Sequence, residues 1–405
     1  MSIMSRRLSE YQRDVMRRLV RVHLSAAVGM FSQASVLLAL SPALFTKYQS
    51  ATLASIAFST VWFPALCLVP LSHRIMTRFR LRRLYLVSEL LGAVVLAIAG
   101  TLFDSNAFLA LVMLFVRGFF GAISYTAATL YVKGAAEPEI VRKEISAFEA
   151  SRLVGSMLSS VAGWVTLNQV GFQTVCLTAA CVSVVGAAIS LTWQREVSID
   201  DTQSRFVGKQ ATWLNALAPS VAMLLLLLST VPLQAFHHAA RTPLAVEYLD
   251  LGVRGVAIVV LVNTVSVAAG AWFASFAIPT LEKYGHWIYV ILNTVSGLLM
   301  VTTPVLRNPV ICLSAYGAYL FIFQVCYTAI NSAMIADASA SAATILVPVR
   351  AGIVQAALLV FAPTLGVIAD RGGLEAASLL AAVTAVGLAA GVVLAKPRGV
   401  PNTLA

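Results

Sequence analysis

The sequence predicts an all-α integral membrane protein with twelve transmembrane helices in two pseudo-symmetric six-helix bundles. Of the 405 residues, 59% are hydrophobic and 11% are charged, whereas about 25% of an ordinary soluble domain is charged. Apolar runs of about 20 residues, the length that crosses a bilayer, recur along the chain. A polar stretch, Gln194–Thr212, divides these runs six and six. The composition therefore excludes a soluble enzyme, a disordered chain and a disulfide-stapled domain.

Each apolar run is predicted to be a helix, because a backbone that crosses lipid must satisfy its own hydrogen bonds. The predicted spans are Leu24–Phe45, Ala51–Leu71, Tyr85–Phe103, Ala107–Tyr131, Ser146–Leu167, Phe172–Trp193, Leu214–Phe236, Val253–Pro279, Trp287–Val305, Pro309–Met334, Ala343–Ile368 and Ala376–Leu394. The expected domains are an N-terminal bundle over 1–193, a cytoplasmic linker over 194–212 and a C-terminal bundle over 213–405.

The positive charges predict the orientation. With twelve spans, 22 of the 28 Lys and Arg residues fall on the side that holds both termini, five fall on the other side, and Arg117 lies within a span. Cytoplasmic loops collect Lys and Arg, so we expect a cytoplasmic (inner) membrane protein with both termini in the cytoplasm. The net charge of +11 is then a matter of topology, and nucleic acid is not expected as a partner.

The short charged loop after the second span of each half carries the first motif. In the first half this loop contains the basic residues Arg78 and Arg82, together with His73, Thr77 and Arg80. In the second half the loop reads Glu282-Lys283-Tyr284-Gly285-His286. This pattern resembles the major facilitator superfamily, whose loop motif is G-x-x-x-D-R-x-G-R-K/R. The acid, base, glycine and base of this motif are matched by Glu282, Lys283, Gly285 and His286. In the first copy, glycine, aspartate and glycine are replaced by His73, Thr77 and Arg80. The resemblance implies that Arg78, Arg82, Glu282, Lys283 and Gly285 act in gating.

Two further strings bear on this resemblance. In the fourth span, Met113-x-x-x-Arg117-x-x-Phe120-Gly121 is similar to the family pattern L-x-x-x-R-x-x-q-G, with the arginine and the glycine matching. In the fifth span, Gly155-Ser156-Met157-Leu158-Ser159-Ser160 lacks the G-P-x-x-G-G of many family antiporters. It keeps small residues, which allow helices to approach closely.

Four charged residues within spans are the candidates for substrate binding or proton coupling: Arg117, Glu89, Glu149 and Arg152. A charge at membrane depth is costly and marks a functional site by default. Arg117 is predicted to hold an anionic group or a coupling carboxylate, the alternative being a structural arginine that caps backbone carbonyls. Glu89 is predicted to carry a proton, or else to reach back toward Arg82 and Arg83. Glu149 and Arg152 are three residues apart on one helix face, so they are expected to form a gate, a latch or a coupling pair.

Other polar residues are expected either to be solvated at span ends or to line the substrate path. Asp337, Arg350, His237 and His238 lie at span ends and are expected to be solvated, with pH-linked gating as the alternative for the histidines. Uncharged polar residues within spans are expected to line the substrate path. They are Gln33, Gln234, Asn263, Tyr316, Tyr319, Gln324, Tyr327 and Asn331.

The function expected from sequence is a proton-coupled exporter of small amphiphilic or anionic organic molecules, such as drugs, natural products or siderophores, that works by alternating access. The alternatives are an uptake permease for a siderophore or an organic acid, a lysophospholipid-type flippase, and a non-transporting receptor or assembly factor. No enzyme, metal-site or phosphate-binding motif is present, so no catalysis, cofactor or metal is expected. The expected partners are a small-molecule substrate, protons and lipid, and the chain is expected to be a monomer.

Overall fold

A computed structural model describes residues 3–48, 63–64, 66–68, 71, 74–136, 140–166, 170–193 and 221–395. These residues form helices and connecting turns, with no β-strand among them. They fall into two compact units: Met1–Ala216 with Ile335–Gly352, and Leu217–Met334 with Ile353–Ala405. The second predicted span and the linker 194–212 lie largely or wholly outside the described residues, so the predicted domain limits stay predictions.

Among the described residues, the first unit contains five long helices. They are α1 (Ile3–Tyr48), α2 (Leu81–Leu102), α3 (Ala107–Ala135), α4 (Val141–Thr166) and α5 (Phe172–Ser190). α2 packs on α3 and α5, and α1 packs on α4 and α5. The turn between α2 and α3 is short because Asn106 caps α3, its side chain accepting a hydrogen bond from the Leu109 N–H at 3.0 Å. This hairpin sets residues of α2 beside residues of α3.

Helix α1 is longer than the predicted first span, which begins at Leu24. Its apolar stretch starts at Leu19, and the helix itself continues back to Ile3. Arg17, Arg18 and Arg21 interrupt the apolar run but not the helix, because arginine is a good helix former. The polarity of a residue therefore locates the span but not the end of the helix.

Residues Ile335–Gly352 belong to the first unit although they come late in the chain. The Lys133 Nζ donates hydrogen bonds to the carbonyls of Ile335 and Ala336, at 2.7 and 2.8 Å. Arg142 pairs with Asp337 at 2.6 Å. A cation at the last carbonyls of a helix satisfies acceptors that have no partner within the helix, so these contacts fix the end of the helix that stops at Asp337.

The second unit contains α6 (Val221–Pro243), α7 (Gly252–Lys283), α8 (Trp287–Thr302) and most of α9 (Pro309–Asp337). A π-helical turn, Leu244–Tyr248, follows α6. The final helix, α10 (Ala340–Ala395), breaks at Gly373, which has φ 80° and ψ 168°. Such a φ favours glycine, and the break separates the eleventh predicted span from the twelfth.

Nine stretches among the described residues are long and apolar enough to cross a membrane. The last of them, Ala342–Leu394, contains the Gly373 break and so includes two predicted spans. The fifth predicted span corresponds to α4, which is not among the nine because its polar residues lower its mean hydropathy. The all-helical, membrane-spanning fold is confirmed.

Candidate functional site

Two charged residues of the predicted site meet inside the first unit. The Arg117 Nη2 of α3 donates a hydrogen bond to the Glu89 Oε2 of α2 at 3.1 Å. Arg117 is 4% exposed and Glu89 is 2% exposed. The hairpin of α2 and α3 brings them together across 28 residues of sequence. Glu89 therefore pairs with Arg117 and not with the basic loop at Arg82 and Arg83.

Hydroxyl groups complete the surroundings of this pair. The Ser124 Oγ donates to the Glu89 Oε1 at 2.7 Å, and the Arg117 Nη2 also donates to the Ser183 Oγ of α5 at 3.3 Å. Ser183 in turn shares a 2.9 Å hydrogen bond with Ser32 of α1. Four helices thus contribute to one buried polar network, whose geometry depends on all of its members.

Two glycines make room for the Arg117 guanidinium. A Cβ built on Gly92 would lie 2.9 Å from the Arg117 Nε, and a Cβ on Gly121 would lie 3.3 Å from the Nη1. The same Gly121 position is 3.6 Å from the Gln33 Nε2, so Arg117 and Gln33 flank a space that the missing side chain leaves open. Gly121 is the glycine of the fourth-span motif, and this space is its structural consequence.

Part of the Arg117 guanidinium has no partner within the described residues. Its Nε and Nη1 are buried and make no hydrogen bond there. A small cavity adjoins them, with room for about one water molecule. Its lining comes from α1, α2, α3 and α4: Ala26, Gly29, Met30, Gln33, Tyr85, Glu89, Arg117, Gly121, Ser124, Tyr125, Ala128, Phe148 and Arg152.

Glu149 and Arg152 form the ion pair expected from their spacing, with 3.0 Å between the Glu149 Oε2 and the Arg152 Nη1. The Tyr125 hydroxyl donates to the Glu149 Oε1 at 2.6 Å, and the Arg152 guanidinium lies 4.1 Å from the centre of the Tyr125 ring. A cation over an aromatic face is stabilised electrostatically. This second charged group borders the same cavity as Arg117, so the structure brings all four predicted charges together.

The expectation that Arg350 is solvated is wrong. It is 2% exposed and donates a hydrogen bond to the Tyr125 hydroxyl. The available signal was a lone charge with apolar residues on both sides in the sequence, between Val349 and Ala351. Asp337, by contrast, is partly exposed as expected, and it pairs with Arg142.

Ser124 and Tyr125 were also missed by the sequence analysis. They follow Arg117 by seven and eight residues on the same helix, the spacing that returns to one helix face after two turns. Their polarity and position relative to Arg117 were the signal.

The predicted path residues of the second unit are mostly buried. Tyr316, Tyr319 and Asn331 are fully buried and Gln324 nearly so, while Gln234, Asn263 and Tyr327 are half-buried. His237 is also buried, contrary to expectation, and its Nδ1 hydrogen-bonds the Tyr316 hydroxyl. The role of these residues in lining a substrate path stays a prediction.

The residues predicted to act in gating belong to loops of both units. Arg78 is exposed, and Arg82 donates to the Trp193 carbonyl at 3.1 Å, beyond the end of α5. Lys283 ends α7, and Gly285 follows with φ 61°. The Glu282 side chain lies outside the description. No cluster of three His, Cys, Asp or Glu residues that could hold a metal ion occurs within the described ranges.

The fold and site define a multi-pass helical membrane protein with a buried ion pair beside a cavity. The chain belongs to the Major Facilitator Superfamily, which it matches over residues 22–345. The family and fold are those of transporters and not of enzymes.

Solved structures agree with this family. The Escherichia coli fucose:proton symporter FucP, as the N162A variant, superposes with a TM-score of 0.69 at 14% identity, over 92% of this chain and 98% of that one. FucP in the outward conformation gives a TM-score of 0.68 at 14% identity, over 91% and 98%. At this identity the likeness concerns the fold alone. No curated protein matches the sequence significantly.

Proposed function

We propose that the protein is a proton-coupled secondary transporter of small amphiphilic or anionic organic molecules, in which Glu89 carries the proton and Arg117 is its partner. The observation that carries this proposal is the Glu89–Arg117 pair, buried and bordering a cavity. The proposed setting is the cytoplasmic membrane, with lipid around a monomer and both termini inside. The excess of Lys and Arg on one side supports that orientation.

The pair can link proton binding to substrate binding. A buried ion pair is stable only while both charges are present, and removing one charge leaves the other uncompensated. Protonation of Glu89 would therefore release Arg117 to bind another acceptor. Substrate and proton then bind to the same hydrogen-bonded network, and alternating access exposes this network first to one side of the membrane and then to the other.

Export is the direction expected from sequence, with drugs, natural products or siderophores as cargo. Uptake is the second candidate, because FucP, which shares the fold, is a fucose:proton symporter. The two directions make different demands on the site. Antiport requires the proton and the substrate to compete, whereas symport requires them to bind together.

Purified protein in liposomes that contain a trapped pH-sensitive dye would test the proposal. A panel of monocarboxylates, hexoses and amphiphilic amines is added outside, and the internal pH is followed. A coupled substrate acidifies the interior by symport or makes it alkaline by antiport. We expect Glu89→Gln to abolish the proton signal and Arg117→Ala to reduce it at least tenfold, while Glu247→Gln, at an exposed carboxylate, behaves as wild type.

Liposomes without protein correct for unassisted permeation of weak acids. Wild-type signals from both site variants would refute the roles of Glu89 and Arg117. A substrate transported without any proton signal would refute proton coupling.

A further inference from the structure

The unpaired nitrogens of Arg117 identify what kind of group the cavity recognises. Its Nη2 is occupied by Glu89 and Ser183, while its Nε and Nη1 have no partner among the described residues. A guanidinium nitrogen that is buried without an acceptor is costly. Donors of a fixed positive charge are best satisfied by an anionic oxygen, since charge-assisted hydrogen bonds are stronger than neutral ones.

The charges around the cavity also favour an anion. Glu89 and Glu149 provide two carboxylates. Arg117 and Arg152 line the cavity, and Arg350 bonds to the Tyr125 hydroxyl at its edge. A ligand that enters the cavity therefore meets the Arg117 and Arg152 guanidinium groups, and these positive charges attract an anion and repel a cation.

Arg117 is the member of the cluster that is open to a ligand. Arg152 is already held by Glu149 and by the Tyr125 ring. The Nη1 of Arg117, in contrast, faces the space over Gly121 together with the Gln33 amide. An anionic oxygen there would accept from Arg117 and from the amide N–H of Gln33.

We infer that this cavity binds the carboxylate of a transported organic acid at Arg117, and that the anion and a proton on Glu89 bind together. The inference rests on the proposed function and adds the substrate class and the coupling sense. The cavity has room for about one water molecule, so it must widen to admit the carboxylate head group. The body of the acid would enter as the site opens during alternating access.

The cooperation follows from the geometry of the pair. Glu89 and the incoming carboxylate share one guanidinium, so two negative charges would lie within a few ångströms of each other in a buried site. A proton on Glu89 removes that repulsion and leaves Arg117 to the ligand. Linkage is reciprocal, so the anion strengthens proton binding by the same factor. Proton and acid would then cross in the same direction, as in a symport.

Several other charged and titratable groups lie around Glu89. They are Tyr85 from α2, Arg117 and Tyr125 from α3, and Glu149 and Arg152 from α4. Helices α1 and α5 face it with residues that do not titrate, such as Gly29 and Ser183. Glu89 is the carboxylate bonded to Arg117, so we assign the proton to it.

Calorimetry on the purified full chain in detergent tests the inference. The probes are acetate, propionate, lactate and benzoate, each paired with its neutral amide. Titrations in two buffers of different ionisation enthalpy count the protons taken up with each anion. We expect at least one carboxylate to bind with uptake of up to one proton, its amide not to bind, and affinity to fall with rising pH, approaching tenfold per unit.

The variants separate the two charges. We expect Glu89→Gln to bind the same carboxylate without proton uptake, and Arg117→Gln to lose binding at least tenfold. If Arg117→Gln does not fold, the double variant Glu89→Gln/Arg117→Gln removes both charges and is expected to lose binding equally. Glu247→Gln serves as the unaffected control.

Three results would overturn the inference: no carboxylate of the panel binds, a carboxylate binds equally at all pH values, or an amphiphilic amine binds in competition with protons. None of these would by itself refute the proposed function, because the liposome assay can still show proton-coupled transport of another compound. Conversely, the binding linkage can hold in detergent even if the liposomes show no transport.

Discussion

Gly155 of α4 lies against the backbone of Ala27 of α1. A Cβ built on Gly155 would fall 2.0 Å from the Ala27 carbonyl oxygen, a separation that no atom pair tolerates. Gly155 is one of the small residues of the fifth span that were expected to let helices approach closely. Its missing side chain allows the short distance between α1 and α4 at this point.

Replacing Gly155 with alanine should destabilise the first unit by about 1–3 kcal/mol, because the added methyl group overpacks a contact with rigid backbone. Thermal unfolding in detergent measures the effect. Gly366→Ala is the matched control, since nothing lies within 4 Å of its built Cβ. An unchanged melting temperature for Gly155→Ala would show that α1 and α4 do not approach this closely.

Gly92→Ala tests the position of Arg117 without removing a charge. The new methyl group would lie 2.9 Å from the Arg117 Cδ and Nε, so the guanidinium must shift from its present position beside Glu89. We expect the proton signal in liposomes to fall about tenfold, as a small misplacement of a functional group can cause. Gly387→Ala, at a position with open space around it, should keep full activity. Full activity in Gly92→Ala would indicate that transport does not depend on this pairing.

Tyr125→Phe tests the hydroxyl that joins Glu149 to Arg350. Its loss leaves two buried charged groups without a shared partner, which should cost about 1–3 kcal/mol of stability. Chemical unfolding followed by fluorescence gives the difference. The control is Tyr284→Phe, because Tyr284 is 66% exposed and its loss should change stability by less than about 0.5 kcal/mol. Equal stabilities for the two variants would contradict the linking role.

Tyr248→Phe tests how the Gly373 break is held. The Tyr248 hydroxyl accepts a hydrogen bond from the Leu374 N–H and donates one to the Glu375 Oε2, both at 2.9 Å. Without the hydroxyl, the amide at the break loses its acceptor. Hydrogen exchange in the peptide around Leu374 should therefore become about fivefold to tenfold faster, as a local loss of about 1 kcal/mol implies. Exchange in α5 should not change. Unaltered protection at Leu374 would show that another acceptor holds the break.

Much of the fold was predictable because lipid leaves few choices for the backbone. The lengths of the apolar runs located the spans, and the polar stretch after Trp193 separated the first six predicted spans from the last six. Helix ends were harder to predict, as α1 shows, because a helix can continue through Arg21, Arg18 and Arg17 once polar surroundings permit it. The break at Gly373 was predictable as a gap between spans but not as a single residue with positive φ.

The candidate site was only half predictable. The rarity of charge within spans identified Arg117 and Glu89, but their pairing depends on the register of α2 against α3, which no local pattern fixes. Arg350 was misjudged because its partner, Tyr125, is distant in sequence. Ser183, which bonds to Arg117 from another helix, gave no signal, since an isolated serine within a span is common and hydrogen-bonds its own helix in most cases.

The low hydropathy of helix α4 affects how the chain enters the membrane. It is not apolar enough to count among the nine candidate spans, and Glu149 and Arg152 each add about 3 kcal/mol to the cost of inserting it alone. In the folded unit those charges pair with each other and with Tyr125 of the preceding helix. We therefore expect α4 to leave the translocon only together with α3, so the residues of the candidate site also govern the biogenesis of the first unit.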